Sequence, residues 1–123
     1  MRNMVIFDTN MILRYILNDD KTMADKAEEY INDDVVLVTL EVIAEVVYVL
    51  DGVYKMSRAR IAESIALFLE LVDCNEKAVL HIALDAYASN RLDFVDCVLY
   101  AYNKVKHIEI ATFDKKLLRL LAN

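Results

Sequence analysis

The sequence contains no proline, no tryptophan and a single glycine among its 123 residues. Turns must therefore be built from Asn, Asp, Ser and Lys, and the boundaries between elements are weakly marked. No apolar run approaches the roughly 20 residues that a membrane-spanning helix needs, and the N-terminus lacks the apolar segment and cleavage site of a signal peptide. We therefore expect a cytoplasmic protein with no membrane partner.

Cysteine and histidine are also scarce, with only Cys74, Cys97, His81 and His107 in the chain. Two thiols cannot establish a disulfide framework and are typical of a reducing compartment. No close pair of these residues has the spacing of zinc ligands. A pair of histidines could cleave RNA without a metal, but both lie in segments with a helical pattern, which disfavours that chemistry.

The charge balance is acidic, with a formal net charge of −6, 28% charged residues and 58% hydrophobic residues. This composition predicts one globular domain spanning 1–123. The negative charge argues against a broad basic surface that binds nucleic acid by counterion release alone. A polyanionic substrate would have to be held locally, for example by carboxylates carrying divalent cations.

Apolar runs alternate with segments of helical periodicity along the whole chain. We predict strands at 4–7, 35–39, 72–74 and 108–112. We predict helices at 10–17, 22–31, 39–52, 59–71, 75–90, 93–105 and 115–121, with Thr39, Ser57 and Asp93 as caps and Thr22 opening a weak capping box. The alternation predicts a single-domain, three-layer α/β sandwich, with a central, mainly parallel sheet and helices on both faces.

Four acidic residues occur near the predicted carboxyl edge of this sheet. Asp8 ends the first strand, Asp114 follows the last strand, and Glu45 and Asp96 lie on helices. Ligands of open α/β sheets bind outside the carboxyl ends of the strands. Oxygen ligands of this kind suit Mg²⁺ and Mn²⁺, so the four acids form a metal cage if they converge.

Asp8 and Glu45 also have structural explanations. Asp8 could be a turn residue or the N-cap of the helix that follows it. Glu41 and Glu45 could form a solvated helix face, but Glu45 is flanked by Ala44 and Val46, which favours a functional role. Glu41 is expected to lie on the surface or to support the site.

The acids near the later helices have similar alternatives. Asp93 is expected to cap the helix that it precedes, where acids are favoured by the helix dipole. Asp96 lies one step into an apolar helix, so capping does not explain it. Asp114 could cap the last helix, with Thr112 as its hydrogen-bonding support.

Four motifs in this order resemble those of PIN-domain ribonucleases, particularly the short VapC-like toxins of toxin–antitoxin pairs: VIFDTN at 5–10, VIAEV at 42–46, LDFVDC at 92–97 and ATFD at 111–114. The resemblance implies an endoribonuclease that depends on Mg²⁺ or Mn²⁺. A metal-activated water would attack phosphorus and leave a 5′ phosphate and a 3′ hydroxyl.

Carried over by motif, the family's catalytic and metal-binding acids fall on Asp8, Glu45, Asp96 and Asp114. Asp8 and Asp96 would be the main ligands of one or two metal ions, and Asn10 and Thr112 would be supporting residues. Two departures from the family pattern affect local packing: Cys97 stands where alanine is frequent, and His107 and Ile108 stand where a glycine is often found. A haloacid-dehalogenase phosphatase is disfavoured, because Asp8-Thr9-Asn10 lacks its second aspartate.

The expected partners are an RNA substrate, a second copy of the chain and a small antitoxin protein. Arg14 and Lys115 are candidates for guiding RNA, although both could be ordinary exposed helix charges. The apolar helices at 46–53 and 61–71 exceed the needs of one small core, which favours a homodimer or an antitoxin groove. Two alternatives remain: a PIN-fold module that binds proteins, and an RNA-processing nuclease outside any toxin–antitoxin system.

Overall fold

A computed structural model of the chain describes residues 2–123. Its elements, in chain order, are β1 Met4–Ile6, α1 Thr9–Leu17, α2 Lys21–Asp33, β2 Val35–Leu37, α3 Leu40–Gly52, α4 Arg58–Leu69, α5 Lys77–Ser89, α6 Phe94–Lys106 and α7 Lys115–Leu121. The predicted α/β class is confirmed. No helix in this part of the chain is both long and apolar enough to cross a membrane.

The sheet is small and parallel, as predicted. β1 pairs with β2, with Met4 opposite Val35 and Ile6 opposite Leu37. On the other side of β2, the backbone amide of Asp73 donates to the carbonyl of Val36 at 2.8 Å, and Asp73 forms a single parallel bridge with Leu37. The strand predicted at 72–74 is therefore present only as this bridge.

The prediction of a strand at 108–112 is wrong, because residues 107–114 have no strand conformation. Ile108 is 50% exposed and Phe113 is fully exposed, and β1 keeps an open edge with Ile6 61% exposed. The end of α6 holds this segment instead. The Asn103 side chain donates to the carbonyl of Ile108 at 2.9 Å, and His107 turns the chain in a left-handed conformation. β1 is thus not buried on both faces as its apolar sequence suggested.

The core is a single cluster built mainly from the helices. α5 packs against α4 and α6, and their buried residues include Ile65, Leu80 and Phe94. Two edge-to-face aromatic pairs strengthen it: Phe7 with Tyr30 at 6.0 Å, and Tyr87 with Phe94 at 5.8 Å between ring centroids. Each fully buried side chain of this size contributes about 1.5–3 kcal/mol of hydrophobic stabilisation.

Side-chain caps fix several helix starts. Thr39 and Ser57 accept hydrogen bonds from Val42 and Arg60, which confirms both predicted caps. The cap of α2 is Asp20 and not Thr22, because the helix begins at Lys21, one residue earlier than predicted. The other predicted helix bounds differ by a few residues at most, as expected for a chain with weak turn signals.

Within residues 2–123, three residues other than glycine adopt a left-handed backbone: Asn18 with φ 50°, Lys55 with φ 55° and His107 with φ 57°. Asn18 and His107 end α1 and α6, where glycine is the usual choice. The single glycine, Gly52, is instead the last residue of α3 and has no positive φ. His107 thus occupies the position at which the sequence lacks the expected glycine.

Candidate active site

Three acids lie near one another where α6 and α7 begin. Asp93 is the N-cap of α6, Asp96 is in its first turn, and Asp114 is the N-cap of α7. Burial raises the pKa of the Asp96 carboxyl above its ordinary value, and the negative charges of Asp114 and then Asp93 raise it further. Neighbouring carboxylates that repel one another in this way favour a cation between them.

Asp114 is held in place by two local hydrogen bonds. Its Oδ1 accepts from the amide of Leu117 at 2.8 Å, which caps α7, and its own amide donates to the Thr112 hydroxyl at 3.0 Å. The cap engages one carboxylate oxygen, so Oδ2 is not needed for the helix. Thr112 thus makes the contact that its predicted supporting role requires.

Asp8 has the same arrangement at the end of β1. Its Oδ1 accepts from the amide of Met11 at 2.9 Å and caps α1, so one oxygen is again left over. The carboxylate is exposed, as is Asn10 in the first turn of α1. Capping and cation binding are therefore compatible at both Asp8 and Asp114.

Asp93 does not act as predicted. It occupies the N-cap position of α6, but its side chain makes no capping hydrogen bond. The expectation that it serves as a helix cap is wrong in that respect. Its carboxylate is instead one of the charges that raise the pKa of Asp96.

Glu45 and Glu41 both lie on α3 with exposed side chains. Neither makes a hydrogen bond or ion pair within 2–123. The apolar flanks of Glu45 therefore do not keep it from solvent: Val46 is buried, and Glu45 points to the other side of the helix. The structure leaves Glu45 apart from the group at α6 and α7.

The model of the PIN domain family matches residues 5–122, which is nearly the whole chain. The chain belongs to the PIN domain family. No curated protein and no solved structure matches it. PIN domains are generally nucleases, and the four acids predicted from the motifs all lie within the matched range.

The donor set of this PIN domain suits a divalent metal ion, but the four acids do not close around one point. Within residues 2–123, no three His, Cys, Asp or Glu side chains converge closely enough to hold a metal ion. Asp8 and Glu45 are not among the charges that raise the pKa of Asp96. Since 108–112 does not join the sheet beside β1, strand pairing does not bring Asp114 next to Asp8.

The two residues expected to guide RNA differ in their surroundings. Arg14 forms an ion pair with Asp19 at 2.8 Å and donates to the Tyr54 hydroxyl at 3.0 Å. The bond to Tyr54 is the main reason that the pKa of Arg14 is raised, with Asp19 adding to it against the effect of burial. Lys115 is exposed at the start of α7 and has no such partner among the described residues.

Sequence reasoning missed Arg58, which anchors the loop before the acids. Its Nη1 donates to the carbonyls of Tyr87, Asn90 and Leu92 at 3.2, 2.8 and 2.8 Å, and its guanidinium lies 4.1 Å from the centre of the Tyr87 ring. Leu92 immediately precedes Asp93. Arg58 therefore ties the start of α4 to the segment that delivers Asp93 and Asp96.

The cysteines and histidines do not form a second site. Cys74 and Cys97 are both free, and burial raises the pKa of the Cys97 thiol to about 11. His81 lies 3.8 Å from Glu70 on the surface, and His107 ends α6. Neither histidine is part of a group with the three acids.

Proposed function

We propose that this PIN domain is a divalent-metal-dependent endoribonuclease and the toxin of a type II toxin–antitoxin pair of the VapC-like kind. The main support is the group of Asp93, Asp96 and Asp114 in a chain whose family match spans 5–122. Burial and the charges of Asp114 and Asp93 raise the pKa of Asp96, so a bound cation would relieve the repulsion among these carboxylates. A cation that binds phosphate would fill this role.

Asp96 and Asp114 would hold the ion. Asp8 and Glu45 would complete the set of ligands if they moved closer to this pair. The free oxygens of Asp114 and Asp8 are compatible with this, because each cap uses only Oδ1. When bound, Mg²⁺ or Mn²⁺ supplies positive charge for the phosphodiester and makes water a better nucleophile. Thr112 fixes the backbone of Asp114, and Arg58 holds the loop that carries Asp93.

The test compares Asp96→Asn with Asp85→Asn, a matched removal of one exposed carboxylate on α5. RNA cleavage is measured with Mg²⁺, with Mn²⁺ and with chelator, and the ends of the products are identified. We expect Asp96→Asn and chelation each to abolish cleavage, with Asp85→Asn at wild-type activity and products carrying a 5′ phosphate. Cleavage in chelator that leaves a 2′,3′ cyclic phosphate would refute the metal mechanism.

The toxin role requires a surface for an antitoxin. A groove of about 700 Å³ lies between α1, α2 and α4, away from the acids. Leu67 and Leu71 on its rim are 64% and 49% exposed. Exposed apolar side chains around a groove are typical of protein-binding sites. We expect expression of the chain alone to arrest growth, Asp96→Asn to remove the arrest, and co-expression of the protein encoded by an adjacent gene to suppress it.

One observation favours a second function, a PIN-fold module that binds proteins without cleaving RNA. No group of three potential metal ligands is assembled within 2–123. The same cleavage assay separates the two functions, because a binding module would give no cleavage in Mg²⁺ or Mn²⁺. Light scattering of the purified protein tests separately the homodimer expected from the sequence.

A further inference from the structure

Most cations of this acidic chain are already engaged by other groups. Only six lysines and arginines make no hydrogen bond, ion pair or aromatic contact within 2–123: Lys55, Arg60, Arg91, Lys115, Lys116 and Arg119. Four of these six lie in one corner of the molecule, in the loop before α6 and on α7. The net charge of −6 makes such a cluster of free cations unexpected.

Three of the four line one cleft. Arg91 on the loop faces Lys116 and Arg119 of α7 across a cleft of about 360 Å³, with Leu92 and Leu120 also lining it. Each wall of the cleft is close in sequence to one of the acids: Leu92 immediately precedes Asp93, and Lys116 is two residues after Asp114. The basic cleft, defined by Arg91, Lys116 and Arg119, is therefore next to the acids and opposite to them in charge.

We propose that the basic cleft binds the sugar-phosphate backbone of single-stranded RNA next to the bond that is cut, an inference that rests on the proposed function. The lining contains no aromatic side chain, so it offers charge for phosphates and no surface for base stacking. The cleft thus positions RNA without reading its sequence. It supplies locally the positive charge that the acidic surface lacks.

An acidic peptide is the competing occupant of a cationic cleft. A peptide long enough to leave the cleft would meet Asp93 or Asp114, where its carboxylates are repelled. A divalent cation at these acids would attract either polyanion, but only a phosphodiester chain has there the bond that the proposed nuclease would cut. The position of the cleft beside the proposed cleavage site therefore favours RNA, and binding of an acidic peptide is measured as the competing outcome.

The experiment compares two double variants that each remove one lysine and one arginine. Lys116→Gln with Arg119→Gln removes one wall of the basic cleft, and Lys55→Gln with Arg60→Gln removes two unpartnered cations elsewhere. Binding of a fluorescein-labelled single-stranded 12-mer RNA is measured by anisotropy in the Asp96→Asn background, between 50 and 200 mM salt. Cleavage kinetics are measured in proteins with Asp96 intact, and thermal melts verify that each variant folds.

We expect the cleft variant to lose about tenfold in affinity and its salt slope to fall by about 1.4, since each phosphate contact with a single strand contributes about 0.7. KM should rise with kcat unchanged, and the control pair should match wild type. Arg91→Gln, on the other wall, should also weaken binding, and it tests the cleft even if the changes on α7 disturb the fold.

The outcomes separate this proposal from the proposed function. If wild type cleaves RNA but the cleft and control variants bind equally, the cleft proposal is wrong and the nuclease stands. If wild type cleaves nothing but RNA binding depends on the cleft, the nuclease is wrong and the cleft stands. A polyglutamate 12-mer that binds the cleft more tightly than the RNA at equal salt would also overturn the proposal.

Discussion

Replacing Arg58 with methionine tests whether one side chain anchors the loop that leads to the acids. Methionine keeps an unbranched stem next to Tyr87 but removes the guanidinium. The carbonyls of Tyr87, Asn90 and Leu92 then lose their shared donor. We expect a large loss of stability, together with a local loosening of the segment that begins α6.

The magnitude follows from the geometry. A single nitrogen, Nη1, contacts three carbonyls but carries only two hydrogens, so the contacts amount to about two full hydrogen bonds. Hydrogen bonds to charged groups contribute about 1.5–3 kcal/mol each, and the cation–π contact adds about 0.5–1 kcal/mol. Since these hydrogen bonds are only partly buried, water can replace roughly half of this, which leaves about 2–3 kcal/mol. For a domain of this size, that loss lowers the melting midpoint by roughly 6–12 °C.

The matched control is Arg60→Met, which removes an exposed arginine without a partner from the same turn of α4. Thermal melts of both variants give the global effect, and amide hydrogen exchange over residues 90–97 gives the local one. Arg58→Lys should lie between wild type and Arg58→Met, because an ammonium keeps the charge but reaches fewer carbonyls. If Arg58→Met and Arg60→Met melt within about 2 °C of each other, the anchoring role assigned to Arg58 is refuted.

Three further predictions concern the acids and the thiols. Without metal, Asp96→Asn should raise the melting midpoint at pH 7 but not near pH 3, because a carboxyl with a raised pKa destabilises the folded state only above its unfolded pKa of about 4; an equal gain at both pH values would contradict this. Asp93→Asn should lower the pKa of Asp96 in an NMR titration, whereas Asp85→Asn should not, and an unchanged titration would exclude the charge of Asp93 as a cause. Iodoacetamide at pH 8 should label Cys74 in the folded protein and Cys97 only after unfolding, since the Cys97 thiol is buried and its pKa is about 11; prompt labelling of Cys97 would show that the core opens there.

Helices and their starts were predictable because their signals are local. Thr39 and Ser57 are good capping residues directly before an apolar periodic segment, and both form the expected hydrogen bonds. The strand at 108–112 was not predictable, because its apolar run shows only that it can be extended. Whether it pairs depends on tertiary contacts, and here Asn103 and the turn at His107 hold it to α6.

The candidate site was predictable in part for a similar reason. Asp96 and Asp114 each stand beside a helix start that the sequence marks, so the group at α6 and α7 could be expected. The distance of that group from Asp8 depends on strand pairing, which the local pattern does not specify. Arg58 gave no signal, because its partners are backbone carbonyls, and any residue type provides a carbonyl.

The left-handed residues have a consequence for how this domain tolerates change. A residue with a Cβ in that conformation destabilises the folded state by about 1–2 kcal/mol relative to glycine. Glycine offsets about 0.5–1 kcal/mol of this gain, because its greater freedom stabilises the unfolded chain. Lys55→Gly and His107→Gly are therefore each expected to gain up to about 1 kcal/mol, whereas Asn18 has less to gain because asparagine tolerates the conformation. Neither lysine nor histidine at these turns is one of the acids or cations argued to bind metal or RNA. The two turns are thus natural sites for suppressor mutations that compensate a destabilising change at the acids while leaving their chemistry intact.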